Sequence, residues 1–177
     1  MAIRPRELER LTDGDEYELI DGRIVEKRGG ALMGQIGATL AAFVGQHIWG
    51  QKLGHLFGCR AGYKECFPGR ENHLLRPSLS FVAEARIPNG KVPVGDFDIA
   101  PDWVAEIIGE QTFNEVEERV ADYRSAGVKL IWIINPSTKS VLVRRLDRTC
   151  TELDETGILD GEDVIPGFTC PVADLFA

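Results

Sequence analysis

The chain has 177 residues, with 20 Lys and Arg against 28 Asp and Glu, which gives a formal net charge of -8. A chain of this length buries roughly two thirds of the surface that it exposes when unfolded, so it needs neither disulfides nor a metal merely to fold. Its 44% apolar content excludes a disordered or fibrous protein. The acidic total argues against tight nonspecific binding to polyphosphates, so we expect any contact with nucleic acid to be local.

Further classes are excluded by what the sequence lacks. No apolar window approaches the ~20 residues that span a bilayer, and the charged N-terminal segment does not resemble a secretory signal. We therefore expect a cytoplasmic protein without membrane association. The four cysteines lack CxxC spacing, and no P-loop, HExxH, GxGxxG or GxSxG motif is present. We see no linker or repeat, which predicts a single domain over residues 1–177.

The N-terminal half begins with residues 4–12, which predict at most a short amphipathic helix. Residues 17–26 then form two short runs around Asp-Gly, the strongest local signal for a β-hairpin. From 31 to 49 the apolar residues recur at helical spacing, beside a face of Gly and Ala. Residues 55–64 and 74–82 predict strands, and the Pro-, Gly- and Asp-rich segment 86–102 predicts a long loop.

In the C-terminal half, residues 103–108 predict a buried strand and 114–126 a helix, with Asn114 as N-cap and Gly127 as the stop. The apolar run 130–134 is typical of a central strand covered on both faces, and 140–145 predicts its neighbour. A hairpin and a short apolar segment end the chain. This order predicts an α/β fold with a mixed central sheet flanked by helices and an N-terminal hairpin.

One acid stands within the buried strand 103–108. A carboxylate at Glu106 must lie at an exposed strand end, be paired, or bind a cation. A hard cation such as Mg²⁺ would need further oxygen ligands, and Asp102 is close in sequence. However, four residues of extended chain cover about 13 Å, whereas two ligands of one Mg²⁺ lie within roughly 4 Å of each other. We therefore interpret Asp102 as a strand-entry residue.

Blocks along nearly the whole chain resemble the Uma2 family in order and spacing. They are YELIDG at 17–22, RPSLSFV at 76–82, APDWVAEII at 100–108, YRSAGV at 123–128, LIWIINP at 130–136, IPGF at 165–168 and LF at 175–176. The resemblance implies a restriction-endonuclease-like fold of the PD-(D/E)XK type. It also implies hydrolysis of DNA phosphodiesters with Mg²⁺, or Mn²⁺ as a substitute, which activates water and neutralises phosphate charge.

The same resemblance assigns the site residues. Glu106 corresponds to the family's second acid and is the expected metal ligand, whereas Ser78 stands where the family has its first, an Asp. Arg119 stands where the family has a helix lysine, and Glu18 corresponds to an early acid. A neutral hydroxyl is a poor substitute for an anionic ligand, and Arg cannot act as a general base because it stays protonated, although it can hold a phosphate. The resemblance therefore implies a degenerate active site.

Other readings of these residues stay open. Arg119 could be an i,i+4 partner of Glu115 on an exposed helix face, Glu18 a solvated hairpin residue, and Tyr123 a core aromatic with a polar tip. Replacement ligands could come from three further acids, which are Glu84, Asp96 and Asp98. Two functions follow: a weakened Mg²⁺-dependent endonuclease, or a noncatalytic module that binds DNA or protein, such as a homodimer joined through the Ala- and Gly-rich helix or the central sheet.

Overall fold

The computed structural model describes residues 2–11, 13–27 and 29–177. The helices in this part of the chain are α1 (Pro5–Leu8), α2 (Ala31–Gln51) and α3 (Phe113–Ser125). None of these described helices combines the length and apolar character needed to cross a membrane. The strands are β1 (Tyr17–Ile20), β2 (Arg23–Glu26), β3 (Gly54–Gly58), β4 (Tyr63–Lys64), β5 (Leu74–Leu75), β6 (Leu79–Ala83), β7 (Trp103–Ile107), β8 (Leu130–Asn135), β9 (Ser140–Arg145), β10 (Cys150–Leu153), β11 (Ile158–Asp160) and β12 (Thr169–Pro171).

The predicted N-terminal hairpin forms between β1 and β2. Its two turn residues, Asp21 and Gly22, both have positive φ, 51° and 78°, as a two-residue hairpin turn requires. On its other side β1 pairs with β5, and β5 pairs with β4, so the hairpin belongs to a four-stranded sheet in the order β2-β1-β5-β4. This small sheet carries Glu18, the early acid, on β1.

The larger sheet has six strands in the order β10-β9-β8-β7-β6-β3. Only β7 and β8 are parallel among its described pairs, and the others are antiparallel, which confirms a mixed central sheet. The parallel pair is possible because α3 lies between β7 and β8 in the chain and carries it back to the start of the sheet. The central strands are therefore β7 and β8.

Both faces of this sheet are covered. Alternate residues of β7 and β8 point to opposite faces. Trp103 and Trp132 pack against α2, whose buried stripe is Ile36, Leu40, Val44 and Ile48. The opposite face carries Val104, Ile131 and Ile133 and packs against α3 through Val116, Val120 and Tyr123. Glu106 stands two residues after Val104, so the alternation of the strand places it on the α3 face.

Helix α3 begins one residue earlier than expected and has a different cap. Thr112, rather than Asn114, is the N-cap: its hydroxyl accepts from the Glu115 backbone N–H at 3.3 Å, and the Glu115 carboxylate accepts from the Thr112 N–H at 2.7 Å. This reciprocal capping box satisfies two backbone donors, whereas an Asn cap satisfies one. Gly127 ends the helix as predicted, with φ at 88°.

Candidate functional site

Position 78 lies directly beside Glu106 in the larger sheet. Strands β6 and β7 pair with Leu79 opposite Ala105, and continuing this antiparallel register by one residue brings Ser78 opposite Glu106. The Ser78 hydroxyl accepts a hydrogen bond from the Ile107 backbone N–H at 3.1 Å. Ser78, which directly precedes β6, thus lies next to Glu106 on β7.

Asp102 lies at the other end of β7 and has partners of its own. Its Oδ1 is 2.9 Å from Arg86 Nη1, and its Oδ2 accepts from the Ala83 backbone N–H at 2.9 Å. Four residues of strand, about 13 Å, separate it from Glu106. Asp102 therefore anchors the entry of β7 and does not take part in the site.

Arg119 reaches from α3 to the carboxylates of two different sheets. Its Nη2 and Nε donate to Glu106 Oε1 at 2.5 and 3.1 Å. Its Nη1 and Nη2 donate to the two oxygens of Glu18 at 2.7 and 3.0 Å. The side chains are 18% exposed for Arg119, 6% for Glu18 and 10% for Glu106. The guanidinium thus bridges both acids at a site that is nearly closed to water.

Glu18 and Tyr123 complete this cluster. Glu18 Oε1 also accepts from the Arg76 backbone N–H at 2.6 Å. The Tyr123 hydroxyl donates to Glu106 Oε1 and accepts from Arg119 Nη2 at 3.2 Å. Tyr123 is fully buried, and it is both a core aromatic of α3 and a member of the cluster. We call Glu18, Glu106, Arg119 and Tyr123 the acid–arginine cluster.

The charges of the cluster hold one another in place. Burial by itself raises the pKa of the Glu18 carboxyl, but the charge and hydrogen bonds of Arg119 outweigh it and leave this pKa below its ordinary value. Burial works against a charged Arg119 as well, yet Glu106 and Glu18 raise its pKa well above the ordinary value. Burial raises the pKa of Tyr123. Arg119 therefore stays positively charged. The Tyr123 hydroxyl stays neutral and remains a hydrogen-bond donor.

The residues of the cluster do not fit a divalent cation. Arg119 takes both oxygens of Glu18, and three donor groups converge on Glu106 Oε1. The Ser78 hydroxyl is neutral and accepts a backbone bond. Within the described residues, no three His, Cys, Asp or Glu side chains are grouped so that they could hold a metal ion. A Mg²⁺ ion could therefore bind Glu18 only by displacing Arg119.

The three possible replacement acids are held elsewhere. Asp96 accepts from Arg76 Nη1 and Nη2 at 2.6 and 2.9 Å and from the Gly62 N–H at 3.0 Å. Asp98 lies 3.4 Å from Lys64 Nζ, and Glu84 lies 2.9 Å from His55 Nε2. None of the three is bonded to Glu18, Glu106 or Arg119 in this structure, and each has a cationic or backbone partner of its own.

Lys27, which the sequence reasoning did not identify, lies beside the cluster. It directly follows β2, and its backbone N–H donates to Glu16 O at 3.1 Å. Its Nζ donates to the carbonyl oxygens of Arg76 at 2.5 Å and Cys59 at 3.4 Å. Burial lowers the pKa of Lys27, against the opposing charges of Glu106 and Glu18. Hairpin alternation was the available signal, because Val25 pairs with Glu18 and Lys27 points to the same face as Val25.

Comparison with known proteins agrees with this fold. Residues 5–173 match the Uma2 family, described as "Putative restriction endonuclease". A solved structure, of a putative nuclease belonging to DUF820 from Anabaena variabilis ATCC 29413, superimposes with a TM-score of 0.84 at 22% identity, over 98% of this chain and 97% of that one. At this identity the likeness shows the fold alone. No curated protein matches the chain.

Proposed function

Because the chain belongs to the Uma2 family of restriction-endonuclease-like proteins, we propose that it binds DNA as a nuclease of this class whose Mg²⁺-dependent cleavage is strongly reduced or lost. One observation supports this proposal above the others: the guanidinium of Arg119 bridges Glu18 and Glu106. An arginine in this position supplies the positive charge that the acids need without offering an open coordination position.

The neighbouring positions support the same proposal. A carboxylate at position 78 would add an anionic oxygen opposite Glu106, but Ser78 offers a neutral hydroxyl that is bonded to the Ile107 N–H. Arg119 cannot take a proton from water because it stays protonated. The cluster therefore lacks an anionic ligand at position 78 and, at position 119, a residue that could act as a base.

A cleavage assay tests the proposal. Supercoiled plasmid and single-stranded DNA are incubated with Mg²⁺ or Mn²⁺ and wild type, Glu106→Ala, or the double variant Ser78→Asp/Arg119→Lys. We expect wild type and Glu106→Ala to be equally inactive and the double variant to nick DNA. Glu152→Ala, which removes an exposed acid on β10, is the matched control. Rapid cleavage by wild type that Glu106→Ala abolishes would refute the loss of activity.

A second candidate function, a noncatalytic homodimer, is supported by the surface of α2. This helix of 21 residues contains no Asp, Glu, Lys or Arg, although 27% of the whole chain is charged. Three of its large apolar side chains, Leu32, Phe43 and Trp49, are 57%, 37% and 65% exposed. The ring of Trp49 covers Gly45, since a Cβ there would lie 3.0 Å from it.

The partner that we propose for this face is a second copy of the chain. Two molecules that each carry a charge of -8 repel one another over most of their surface, and an uncharged face lets them meet without like-charge contacts. Sedimentation velocity over a concentration series tests this candidate. A concentration-dependent dimer in wild type supports it, and a wild-type monomer at 100-fold the assay concentration overturns it.

A further inference from the structure

Three cations surround the carboxylates of the site, and Lys27 differs from the other two. Arg76 pairs with Asp96 and donates further bonds to the backbone oxygens of Gly14, Tyr17 and Arg60. Arg119 pairs with Glu18 and Glu106. Lys27 donates only to two backbone carbonyl oxygens, and no carboxylate of the described residues lies within 4.0 Å of its Nζ.

The ammonium group of Lys27 retains a donor for a ligand. An ammonium has three N–H donors, and the carbonyl oxygens of Arg76 and Cys59 take two of them. Lys27 is only partly buried, so its side chain keeps some contact with solvent. The two carbonyl bonds fix the position of Nζ beside the cluster, which lowers the entropy that a flexible lysine would lose on binding.

The local charge does not repel an anion, despite the acidic total of the chain. Glu18 and Glu106 together carry two negative charges, and Arg119 and Lys27 carry two positive charges, so the group is neutral when Lys27 is protonated. Arg119 is saturated by its acids, whereas Lys27 is not. The cation that can accept an incoming anion is therefore Lys27.

We propose that Lys27 binds a phosphate oxygen of a nucleic-acid backbone at the edge of the acid–arginine cluster. This inference rests on the proposed function, and it names the residue through which that site holds DNA. Lysine is an effective partner for phosphate as a compact point charge. Burial lowers the pKa of Lys27, and a bound anion would raise it again. Protonation of Lys27 and binding of the anion therefore favour each other.

The first test measures DNA affinity without metal. Fluorescence anisotropy of a labelled duplex is recorded in EDTA between 50 and 200 mM NaCl for wild type, Lys27→Met, Lys27→Arg and Lys129→Met. Lys129 is the matched control, since it is a lysine with a 57% exposed side chain at the opposite end of the parallel strands. We expect Lys27→Met to bind roughly tenfold more weakly than wild type at 50 mM salt. The slope of log affinity against log salt concentration should also become shallower by about one, which corresponds to the loss of one phosphate contact. Lys27→Arg and Lys129→Met should bind as wild type does.

The second test uses wild type alone, so it does not depend on the folding of a variant. The side-chain ¹⁵N resonance of Lys27 is followed by NMR while inorganic phosphate is added. A saturable shift supports an anion site at Lys27, and the absence of any shift overturns it.

The two proposals fail in different ways. If wild type binds DNA and Lys27→Met binds equally well, the assignment of Lys27 is wrong and the proposed function stands. If wild type does not bind DNA, the proposed function fails, and the phosphate titration then decides Lys27: a shift assigns the site to a free phosphate anion, and no shift overturns it as well.

Discussion

Replacing Arg119 by methionine tests whether this residue neutralises the site. The substitution keeps most of the aliphatic stem and removes the guanidinium. Glu18 then loses its two bonds to Arg119 and keeps the one from the Arg76 N–H, whereas Glu106 keeps only the Tyr123 hydroxyl among the donors that reach its Oε1. Two buried carboxylates are left without their cation.

The expected loss is large for a single substitution. Removing one partner of a buried ion pair costs about 3–5 kcal/mol, because the remaining charge stays buried. Glu18 and Glu106 are 6% and 10% exposed, which places this pair well inside that regime. Total stabilities of domains are about 5–15 kcal/mol, so Arg119→Met should be folded but clearly destabilised at pH 7.

Urea unfolding followed by tryptophan fluorescence measures this loss. Arg144→Met is the matched control: the side chain of Arg144 is 16% exposed, against 18% for Arg119, and it pairs with a single acid, Glu117, which is 33% exposed. We expect the control to lose only about 1 kcal/mol. If Arg119→Met and Arg144→Met lose the same small amount, the argument that Arg119 neutralises two buried acids is refuted.

The same variant reports on the metal site. Without Arg119, Glu18 and Glu106 become available as oxygen ligands, and a cation that binds only the folded state stabilises it. We expect Mn²⁺ to raise the unfolding midpoint of Arg119→Met and to leave that of wild type unchanged. Once Mn²⁺ exceeds its Kd, each tenfold increase adds about 1.4 kcal/mol. An equal response of both proteins would contradict the view that Arg119 takes the place of the metal.

Three further predictions concern single residues. Arg119 lowers the pKa of Glu18 below its ordinary value of 4.5. The stability that Glu18 contributes is therefore fully present above pH 4.5 and is lost as the pH falls through the lower pKa of the folded state. The difference in urea stability between wild type and Glu18→Gln should shrink from pH 7 to pH 3. Thr112→Ala should cost about 0.5–2 kcal/mol in the same assay, because it removes the hydroxyl that caps α3, whereas Thr156→Ala, at an exposed turn, should cost less. Trp49→Glu should convert the proposed dimer to a monomer in sedimentation velocity, since it introduces repelling charges on the exposed side of α2.

The fold could be predicted because its signals are local. The Asp21-Gly22 turn needs positive φ at both positions, and few residue pairs supply it as readily. The uninterrupted apolar run 130–134 predicted a strand covered on both faces, and β8 is such a strand. The predicted N-cap of α3 was wrong by two residues. Thr112 rather than Asn114 is the cap because Glu115 forms reciprocal hydrogen bonds with it.

The site was only partly predictable, because only some of its signals are local in the sequence. The apolar run 103–108 identified Glu106 as an acid that must lie at an exposed strand end, be paired or bind a cation, and its position on β7 requires no long-range information. The partner, however, is set by tertiary contacts: Glu18 and Arg119 are 101 residues apart and lie on a different sheet and on a helix. Lys27 escaped notice because its neighbours, the carbonyl oxygens of Arg76 and Cys59, carry no signature in sequence.

Arg119 illustrates why the identity of a residue is not enough to assign its role. The sequence left an exposed i,i+4 pair with Glu115 and a phosphate-holding role open, and the contacts of the guanidinium are with two buried acids instead. Glu18 and Glu106 neutralise its charge inside the protein, so Arg119 is not free to bind a phosphate as long as both acids hold it. An acidic chain that keeps a nuclease fold can thus neutralise its own carboxylates, which leaves contact with an anion to a cation outside this network, and Lys27 has the position and the spare donor for it.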